Sequence, residues 1–353
     1  MTGTSLFDGL MRPLSDSLPC GQSLEDTSTL AEFDAYKLFG QQQVIGTRRP
    51  GQKEDEPPSP PAWDEISDKA LAALATSKDL RVLAHLAAAQ LWNGGILPFC
   101  DTLRVAAGWL ETWFDAVYPR VDEDIYFRTN ALNNFNDRLA IVDALRRTPL
   151  VSTRSTGPIS LRHIELAAGI VPVTKGDALP PKEGEINAAF GAAPLADLQT
   201  QISAVKGALD SLSKIDAKMA AAGGVDATPN FDGRGDKEKL VSVRHQLKRI
   251  HEIVRAQLAA RPDAPAAAAD GAAAAEGAAA PGAVGPIRTR QDAIRALDAV
   301  MIFFATTEPS SPVPMFVERA KRLIAMSFLD VLQDIVPDAL NAAKAAGGVR
   351  DKK

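Results

Sequence analysis

One stretch of this sequence cannot build a hydrophobic core, and it divides the chain into a long part and a short part. Residues 261–286 are nearly all Ala, Pro and Gly. Because a segment of this composition offers almost no large apolar side chains to bury, it is expected to behave as a flexible tether. As a flexible coil it would span roughly 25 to 30 Å root-mean-square. The sequence therefore predicts that the last domain moves independently of the first.

The short part, residues 287–341, contains three short amphipathic segments, and a proline-rich elbow separates the first two. The elbow consists of Glu308, Pro309, Ser310, Ser311, Pro312, Val313 and Pro314. Its prolines fix φ and withhold backbone donors, so neither flanking helix can run through it. Ser311 or Val313 can cap the second helix, which then has Pro314 in its first turn. The candidate interaction residues are those of the elbow together with Phe316, Arg319, Arg322, Leu323 and Phe328.

The small size of this domain limits the stability that it can reach by itself. About 55 residues in three short helices rarely gain more than about 3 to 5 kcal/mol from one core. The sequence offers no disulfide or metal site that would add to that stability. We therefore expect residues 287–341 to exist as a homo-oligomer, a ring of copies, and residues 342–353 to form a disordered tail.

The long part opens with a run of helical signals. After a short helix near residues 28–39, a helix hairpin is expected from Asp64 to a stop at Asn93-Gly94-Gly95. A longer helix is expected from Phe99 to Val117, and two short helices follow it. The sequence thus predicts one compact α-helical domain over residues 1–150, which should fold without the rest of the chain.

Residues 151–260 are predicted to form a connector and a helix hairpin. Up to residue 181 the sequence has short β-branched pieces among Ser, Thr, Gly and Pro, which fit either a brief β-hairpin or an ordered connector. Two heptad patterns follow, in residues 195–219 and 240–254, and Asp216 takes one of their apolar positions. Matched seams of this kind indicate antiparallel pairing, either within one chain or in a bundle with other copies.

The charge balance argues against nucleic acid as a partner. The chain has 39 basic and 44 acidic residues and a formal net charge of -5, so it offers no general attraction to phosphate backbones. Its basic clusters are short and lie on amphipathic helices, where a solvated helix face explains them. We expect no nucleic-acid partner.

Cysteine usage indicates a reducing compartment, and hydropathy indicates no membrane-spanning segment. Cys20 and Cys100 are too few and too scattered for a disulfide framework. The first residues lack a basic region followed by an apolar run, and no apolar string approaches the length of a membrane span. We expect a cytoplasmic protein without direct membrane insertion.

A search for catalytic constellations assigns no residue to catalysis, to a cofactor or to a metal. His245 and His251 lie on one expected helix about 120° apart around its axis, so they cannot share a metal ion. Cys20 is interpreted as a small buried thiol in a turn, and Glu308 as a helix cap or ion-pair partner. Nucleophile-elbow, phosphate-loop and zinc-protease patterns do not occur in the sequence. The tryptophans interpreted as core residues are Trp92, Trp109 and Trp113.

Sequence strings at both ends of the chain resemble one protein family. Residues 290–298, 308–314, 319–323 and Phe328 together resemble the C-terminal domain of the shorter TssA proteins. A second set of strings resembles the ImpA-type N-terminal domain of that family, namely residues 13–16, 18–21, 78–81, 128–132 and 160–167 together with Trp63. The resemblance covers most of the chain in the expected order.

The resemblance implies a function that composition does not show. TssA proteins are cytoplasmic, non-catalytic assembly components of bacterial type VI secretion, and the resemblance implies a ring built from C-terminal domains. It also implies contacts with baseplate, sheath, inner-tube or membrane-complex proteins, and no cofactor. The chain departs from the family pattern at His163, where an acidic residue is common, and its loop at residues 120–126 is short.

The expected fold class is all-α, with a helical N-terminal domain, a middle antiparallel helix hairpin, a flexible Ala/Pro/Gly linker and a small helical C-terminal oligomerisation domain. Two other functions stay open at this point. One is a generic helical scaffold or adaptor that binds peptides. The other is a helical enzyme whose site is assembled from residues that the sequence alone does not connect.

Overall fold

The computed structural model describes residues 6–40, 60–122, 124–171, 173, 180–233, 242–261, 297, 300, 301, 304 and 313–324. The chain divides into two compact units, Met1–Ala268 and Ala269–Lys353. The point of division lies within the predicted tether, nearly all of which is outside the described residues.

The first unit is a helical body with one small sheet. Its helices are α1 (Leu6–Leu10), α2 (Thr29–Asp34), α3 (Trp63–Leu74), α4 (Leu80–Gly94), α5 (Ile96–Thr112), α6 (Ile125–Asn133), α7 (Ala144–Arg147), α8 (Leu161–Ala167), α9 (Glu183–Ala192), α10 (Leu195–Gly223) and α11 (Val243–Ala259). Its strands are β1 (Pro149–Thr153) and β2 (Gly157–Ser160). A π-helical segment, Arg138–Asp143, precedes α7, and short 3-10 turns cover Asn134–Asn136 and Val225–Ala227. In the second unit, α12 spans Val313–Ile324.

Helix α4 is the centre of the first unit. The Asp79 side chain caps it by accepting a hydrogen bond from the backbone amide of Arg81 at 2.8 Å. Gly95, with a φ of 82°, ends it in a conformation that favours glycine. Between these ends, Ala84 and residues 87–89 are fully buried, and their small side chains allow α3 and α5 to pack closely against α4. A helix that is apolar on nearly every side is therefore covered from several directions.

The core continues past residue 150, because α10 packs along α5. Leu103 and Trp109 of α5 are fully buried, and they belong to the same hydrophobic cluster as Val205 and Leu212 of α10. The boundary predicted at residue 150 therefore does not separate two hydrophobic cores. Independent folding of residues 1–150 stays a prediction.

Helices α10 and α11 pack against each other within one chain, which is one of the two arrangements that the heptad patterns left open. The pair is antiparallel, because Arg244 at the start of α11 binds Ser213 and Asp216 near the end of α10. Arg244 also contacts the Asp232 carboxylate at 3.0 Å. The Arg244 side chain is only 10% exposed. The polar residue that interrupts the heptad is thus half of a largely buried ion pair, a device that can fix the register of two helices.

The described part of the chain is mostly helical, as predicted, and the sheet is the exception. Strands β1 and β2 pair antiparallel, with Val151 opposite Ile159, and both of these side chains are buried. Gly157, with a φ of 70°, is the first residue of β2 and follows the turn between the strands. The first part of the connector is therefore a brief β-hairpin, and helix α8 follows it. In the described part of the chain, no helix is both long and apolar enough to cross a membrane.

The prediction for the end of α5 is wrong. The apolar spacing predicts a helix to Val117, but α5 ends at Thr112 and a turn follows. The reason is tertiary, since the carbonyl oxygens of Phe114, Val117 and Pro119 all accept hydrogen bonds from Arg128. A continuous helix would direct these carbonyls along its own axis and away from that side chain.

Candidate interaction surfaces

The structure describes part of the predicted C-terminal interaction site. The helix expected after the elbow is α12, which begins at Val313 and has Pro314 in its first turn. Its other predicted site residues are Phe316, Arg319, Arg322 and Leu323. The remaining predicted site residues lie outside the described residues, namely Glu308, Pro309, Ser310, Ser311, Pro312 and Phe328. Their role as a site stays a prediction.

Two large apolar side chains of α12 lie largely in solvent. Met315 is 65% exposed and Phe316 is 62% exposed. Phe316 belongs to the apolar stripe of the helix, whereas Glu318 is exposed and carries charge. Removing such side chains from water is favourable, so this part of α12 is a candidate for an interaction surface.

The first unit contains a fully buried guanidinium group. Arg128 of α6 donates hydrogen bonds to the carbonyl oxygens of Phe114 (2.7 Å), Val117 (2.6 Å) and Pro119 (2.9 Å), and the Phe114 ring lies 4.7 Å from its central carbon. Burial lowers the pKa of Arg128 to about 10, although Asp115 acts to raise it. Its donors are directed at the turn after α5, so this residue holds the turn in place.

A second buried cation, Lys78, lies against the start of that turn. Lys78 donates to the carbonyl oxygen of Leu10 at 2.7 Å, and its ammonium group lies 5.0 Å from the Trp109 ring and 4.9 Å from the Trp113 ring. The Trp109 indole donates to the same Leu10 carbonyl at 2.8 Å. Burial lowers the pKa of Lys78 from 10.5 to about 8. The cation thus attaches the end of α1 to the core.

The backbone around Lys78 joins three segments that are distant in sequence. The Lys78 amide donates to the carbonyl oxygen of Cys20 at 2.8 Å, and the Tyr118 amide donates to the carbonyl oxygen of Lys78 at 3.0 Å. Gly21, with a φ of 72°, lies beside this junction, and a Cβ atom there would be 2.0 Å from the carbonyl oxygen of Thr76. Glycine is therefore required at this position by close approach as well as by conformation.

An ion-pair chain continues from this junction to the surface. The Asp79 carboxylate is fully buried and accepts from the Arg81 guanidinium at 2.7 Å, and Arg81 reaches the Glu25 carboxylate at 3.1 Å. These bonds use the carboxylate that also caps α4. Residues 78–81, which carry part of the family resemblance, therefore act in the folded protein through internal contacts.

Burial shifts the pKa values of both cysteines and of His85. Cys20 is buried, as predicted, and burial raises the pKa of its thiol. Burial raises the pKa of Cys100 to about 12. His85 lies between Phe33 and Phe39, with ring centroids 4.8 and 4.6 Å away, and burial lowers its pKa. Within the described ranges, no group of three or more His, Cys, Asp or Glu residues could hold a metal ion.

The interpretation of Trp92 as a core residue is wrong. Trp92 is 44% exposed, and its ring stacks on Trp63 with the centroids 5.0 Å apart and the planes at 8°. Its indole donates to the carbonyl oxygen of Ala140 at 3.1 Å. Trp92 and Arg147 also line an open cavity of about 400 Å³. Trp109 is fully buried, as predicted, and Trp113 is half-buried.

Two other exposed aromatic residues are not indicated by the sequence patterns. Tyr126 and Phe127, at the start of α6, are 50% and 54% exposed. The helical spacing gives no sign of this, because α6 has no clear apolar face.

His163, where the chain departs from the family pattern, completes a capping box with Ser160 at the start of α8.

Comparison with known proteins identifies related chains. The family described as ImpA, N-terminal, type VI secretion system, matches residues 11–137. The type VI secretion system component TssA1 of Pseudomonas aeruginosa is 30% identical over 356 residues, which cover 96% of this chain and 97% of that protein. Among solved structures, a TssA N-terminal domain of Burkholderia cenocepacia that includes the conserved ImpA_N region matches with a TM-score of 0.49 and 20% identity. That match covers 71% of this chain and 92% of the solved chain.

Proposed function

The chain belongs to the TssA family of type VI secretion system components, and from this membership we propose that it is a non-catalytic assembly protein that acts as a homo-oligomer. The C-terminal domain forms the contacts between copies, as a ring. The proposed partners are baseplate, sheath, inner-tube or membrane-complex proteins of the same secretion machinery. The observation that carries the proposal is the exposed apolar pair Met315 and Phe316 on α12.

The physical support for self-association lies in the small size of the C-terminal domain. A domain of about 55 residues gains only a few kcal/mol from its own core, so contacts with further copies are a direct means of stabilising it. Burying a Phe side chain fully contributes about 1.5 to 3 kcal/mol, and a ring repeats that contribution at every interface. The proline-rich elbow before α12 would set the angle between neighbouring copies.

The support for a non-catalytic role comes from how the first unit uses its ionisable groups. Lys78, Asp79 and Arg128 are fully buried, and each is held by the contacts within the chain described above. Groups used in this way stabilise backbone turns and helix ends and are not presented to a substrate. The burial that raises the pKa of both thiols also opposes a nucleophilic role for them.

The test measures the full chain in solution. Light scattering gives the mass of the particle, and electron microscopy gives its symmetry. Wild-type protein is expected as a large homo-oligomer. Replacing Phe316 and Leu323 together by Glu should reduce it to small species while the first unit still melts cooperatively. Glu318→Gln, a change at an exposed charged position of the same helix, is the matched control and should retain the wild-type mass.

A monomeric wild-type chain at micromolar concentration would contradict the proposal, as would full-sized particles of the double variant. Pro312→Ala combined with Pro314→Ala tests the elbow separately. If the elbow sets the angle between copies, this variant should lose the defined particle size while the helical circular dichroism of the chain is retained.

A further inference from the structure

In helix α6 the second half is ordinary, with Ala131 and Leu132 buried, and the first half inverts the usual distribution of polar and apolar side chains. It buries Arg128 and Thr129, whereas the two residues before them, Tyr126 and Phe127, are 50% and 54% exposed. A helix that folded only to stabilise its own unit would place the aromatic rings inside and the guanidinium outside. The inversion keeps two large rings in water at a defined position.

The backbone beneath these rings is fixed by several hydrogen bonds. The three bonds from Arg128 attach α6 to the turn after α5. The Thr129 hydroxyl donates to the carbonyl oxygen of Ala227 at 2.7 Å, which attaches α6 to the 3-10 turn Val225–Ala227. The Asn133 side chain accepts from the amide of Asn230 at 2.7 Å. Because the backbone of α6 is already held by these bonds, it loses little conformational freedom when a partner binds the rings.

The 3-10 turn adds a third apolar side chain. Val225 is 70% exposed, and the turn that carries it contacts α6. At the end of α10, a Cβ atom on Gly223 would lie 2.8 Å from the Ile125 side chain, so the two elements approach closely there. We name Tyr126, Phe127 and Val225 together the α6 aromatic surface.

The surroundings of this surface are acidic. Asp124 caps α6 through the amide of Tyr126 and is exposed, and Asp226 is exposed next to Val225. Asp115 and Asp122 are exposed, and both are close enough to Arg128 to oppose the lowering of its pKa by burial. Near these four carboxylates, Arg120 pairs with Asp122 at 3.2 Å, and Lys218 is exposed near the end of α10. Further back along α10, Lys214 pairs with Glu111 at 3.1 Å and Lys206 is exposed. The Arg128 guanidinium is buried, and it donates its hydrogen bonds to carbonyl oxygens of the same chain.

We propose that the α6 aromatic surface binds a basic segment of a partner protein, one that carries Lys or Arg side chains around a large apolar anchor. The anchor packs on Phe127 and Val225, and a cation lies over the Tyr126 ring. The surrounding carboxylates attract the remaining positive charge and disfavour acidic partners. This site is independent of self-association through α12, so either proposal can fail without the other.

The first test uses the full chain and a defined probe. The probe is a fluorescent 12-residue peptide of alternating Lys and Leu with one central Trp, and its binding is measured by fluorescence anisotropy. Tyr126→Ser combined with Phe127→Ser is expected to weaken binding about tenfold or more. Asp226→Asn should weaken it by a smaller factor, and the loss should shrink as salt is added. Leu97→Ser, at a 40% exposed apolar residue of α5, is the matched control and should bind like wild type.

Two comparison peptides separate the contributions of charge and apolar contact. A peptide with Glu in place of every Lys, and one with Gly in place of every Leu and Trp, should both bind at least about tenfold more weakly than the probe. Equal binding of the acidic peptide would overturn the proposal, as would a double serine variant that binds the probe like wild type. Because both aromatic side chains are half in solvent, that variant should keep the wild-type melting transition, and this is checked first.

The second test identifies the natural occupant. Phe127→p-benzoylphenylalanine is introduced in the full chain, cross-linked by light in cells that assemble the secretion system, and the attached peptides are sequenced. Peptides from another protein that are basic and contain a large apolar residue support the proposal. Acidic peptides, peptides of this chain itself, or no cross-link above the level of a Leu97→p-benzoylphenylalanine control would overturn it.

Discussion

The two units of this chain place their most distinctive side chains in opposite environments. In the first unit, Lys78 and Arg128 are charged groups that are fully buried, and the contacts that stabilise them come from the same chain. In α12 of the second unit, Met315 and Phe316 are apolar groups that lie largely in water. The difference shows that an unusual residue can serve the fold or a partner, and that burial separates these roles better than residue type. The buried charges of the first unit are paired within the chain, whereas α12 presents apolar surface that we propose another copy covers.

The largest test of this internal packing is to remove everything after residue 150, which includes α10 and α11. A fragment of residues 1–150 should have a free energy of unfolding about 5 kcal/mol or more below that of residues 1–261. The reason is that α5 loses its contacts with α10, and each large apolar side chain contributes about 1.5 to 3 kcal/mol when buried. Urea denaturation followed by circular dichroism measures both fragments. Equal free energies would show that the helices after residue 150 add nothing to the core.

Replacing Arg128 tests whether the buried charge is essential to the first unit. Arg128→Met leaves three carbonyl oxygens without their donor, and each unsatisfied buried group costs about 1 to 3 kcal/mol. We expect a loss of about 3 kcal/mol or more in the free energy of unfolding. Arg120→Met, at an exposed residue of the same turn, should cost less than about 1 kcal/mol. Similar losses for the two variants would mean that the buried bonds contribute little.

The Asp216–Arg244 ion pair tests the same idea in the α10–α11 hairpin. Asp216→Leu completes the heptad pattern but removes an acidic partner from a mostly buried arginine, so we expect a loss of about 1 to 3 kcal/mol. Adding Arg244→Leu should recover most of it, because an apolar pair then replaces the ions. Asp210→Leu, at an exposed position of α10, is the control. A stabilising single Asp216→Leu change would contradict the expectation.

The pH dependence of stability tests the burial of Lys78. Because its pKa is lowered from 10.5 to about 8, the unfolded state binds a proton between these values that the folded state has released. Stability should therefore rise with pH in this window, by about 1 to 3 kcal/mol relative to Lys78→Met. Both proteins should carry Cys20→Ala, since the raised pKa of that thiol acts in the opposite direction. Parallel stability curves for the two proteins would contradict a shifted lysine.

The smallest effect is expected at α12, and it sharpens the contrast with the buried charges. Phe316→Ser should change the unfolding free energy of the first unit by less than about 0.5 kcal/mol, since the residue belongs to the other unit. Differential scanning calorimetry resolves the transition of the first unit in the wild type and the variant. A clear shift of that transition would show that the two units stabilise one another.

Periodic patterns predicted most helices of the first unit, because a buried helix face repeats locally in sequence. They failed where a distant partner decides the outcome. The turn after Thr112 depends on Arg128 from the next helix, and the exposure of Trp92 depends on where the helices around its stacked partner Trp63 lie. Asp216 stood out as a polar residue in an apolar position, yet its partner Arg244 could not be read from the heptads.

The candidate sites show the same division. The elbow and α12 were predicted from prolines and helical spacing, which act locally, and Pro314 lies in the first helical turn as expected. The α6 aromatic surface was not predicted, because a Tyr-Phe pair in a short helix is more often buried. Only the contacts of Arg128 and Thr129 show which side of α6 faces inward.

The stacked pair Trp63 and Trp92 gives the molecule an optical reporter of its own. Their nearly parallel indoles are close enough for their electronic transitions to couple, which should produce a split circular dichroism band. The first helix turn of α3 and the last of α4 must both be formed for the rings to meet. Loss of that band in a temperature or denaturant series would therefore report local opening of this corner before the whole unit unfolds, without any added label.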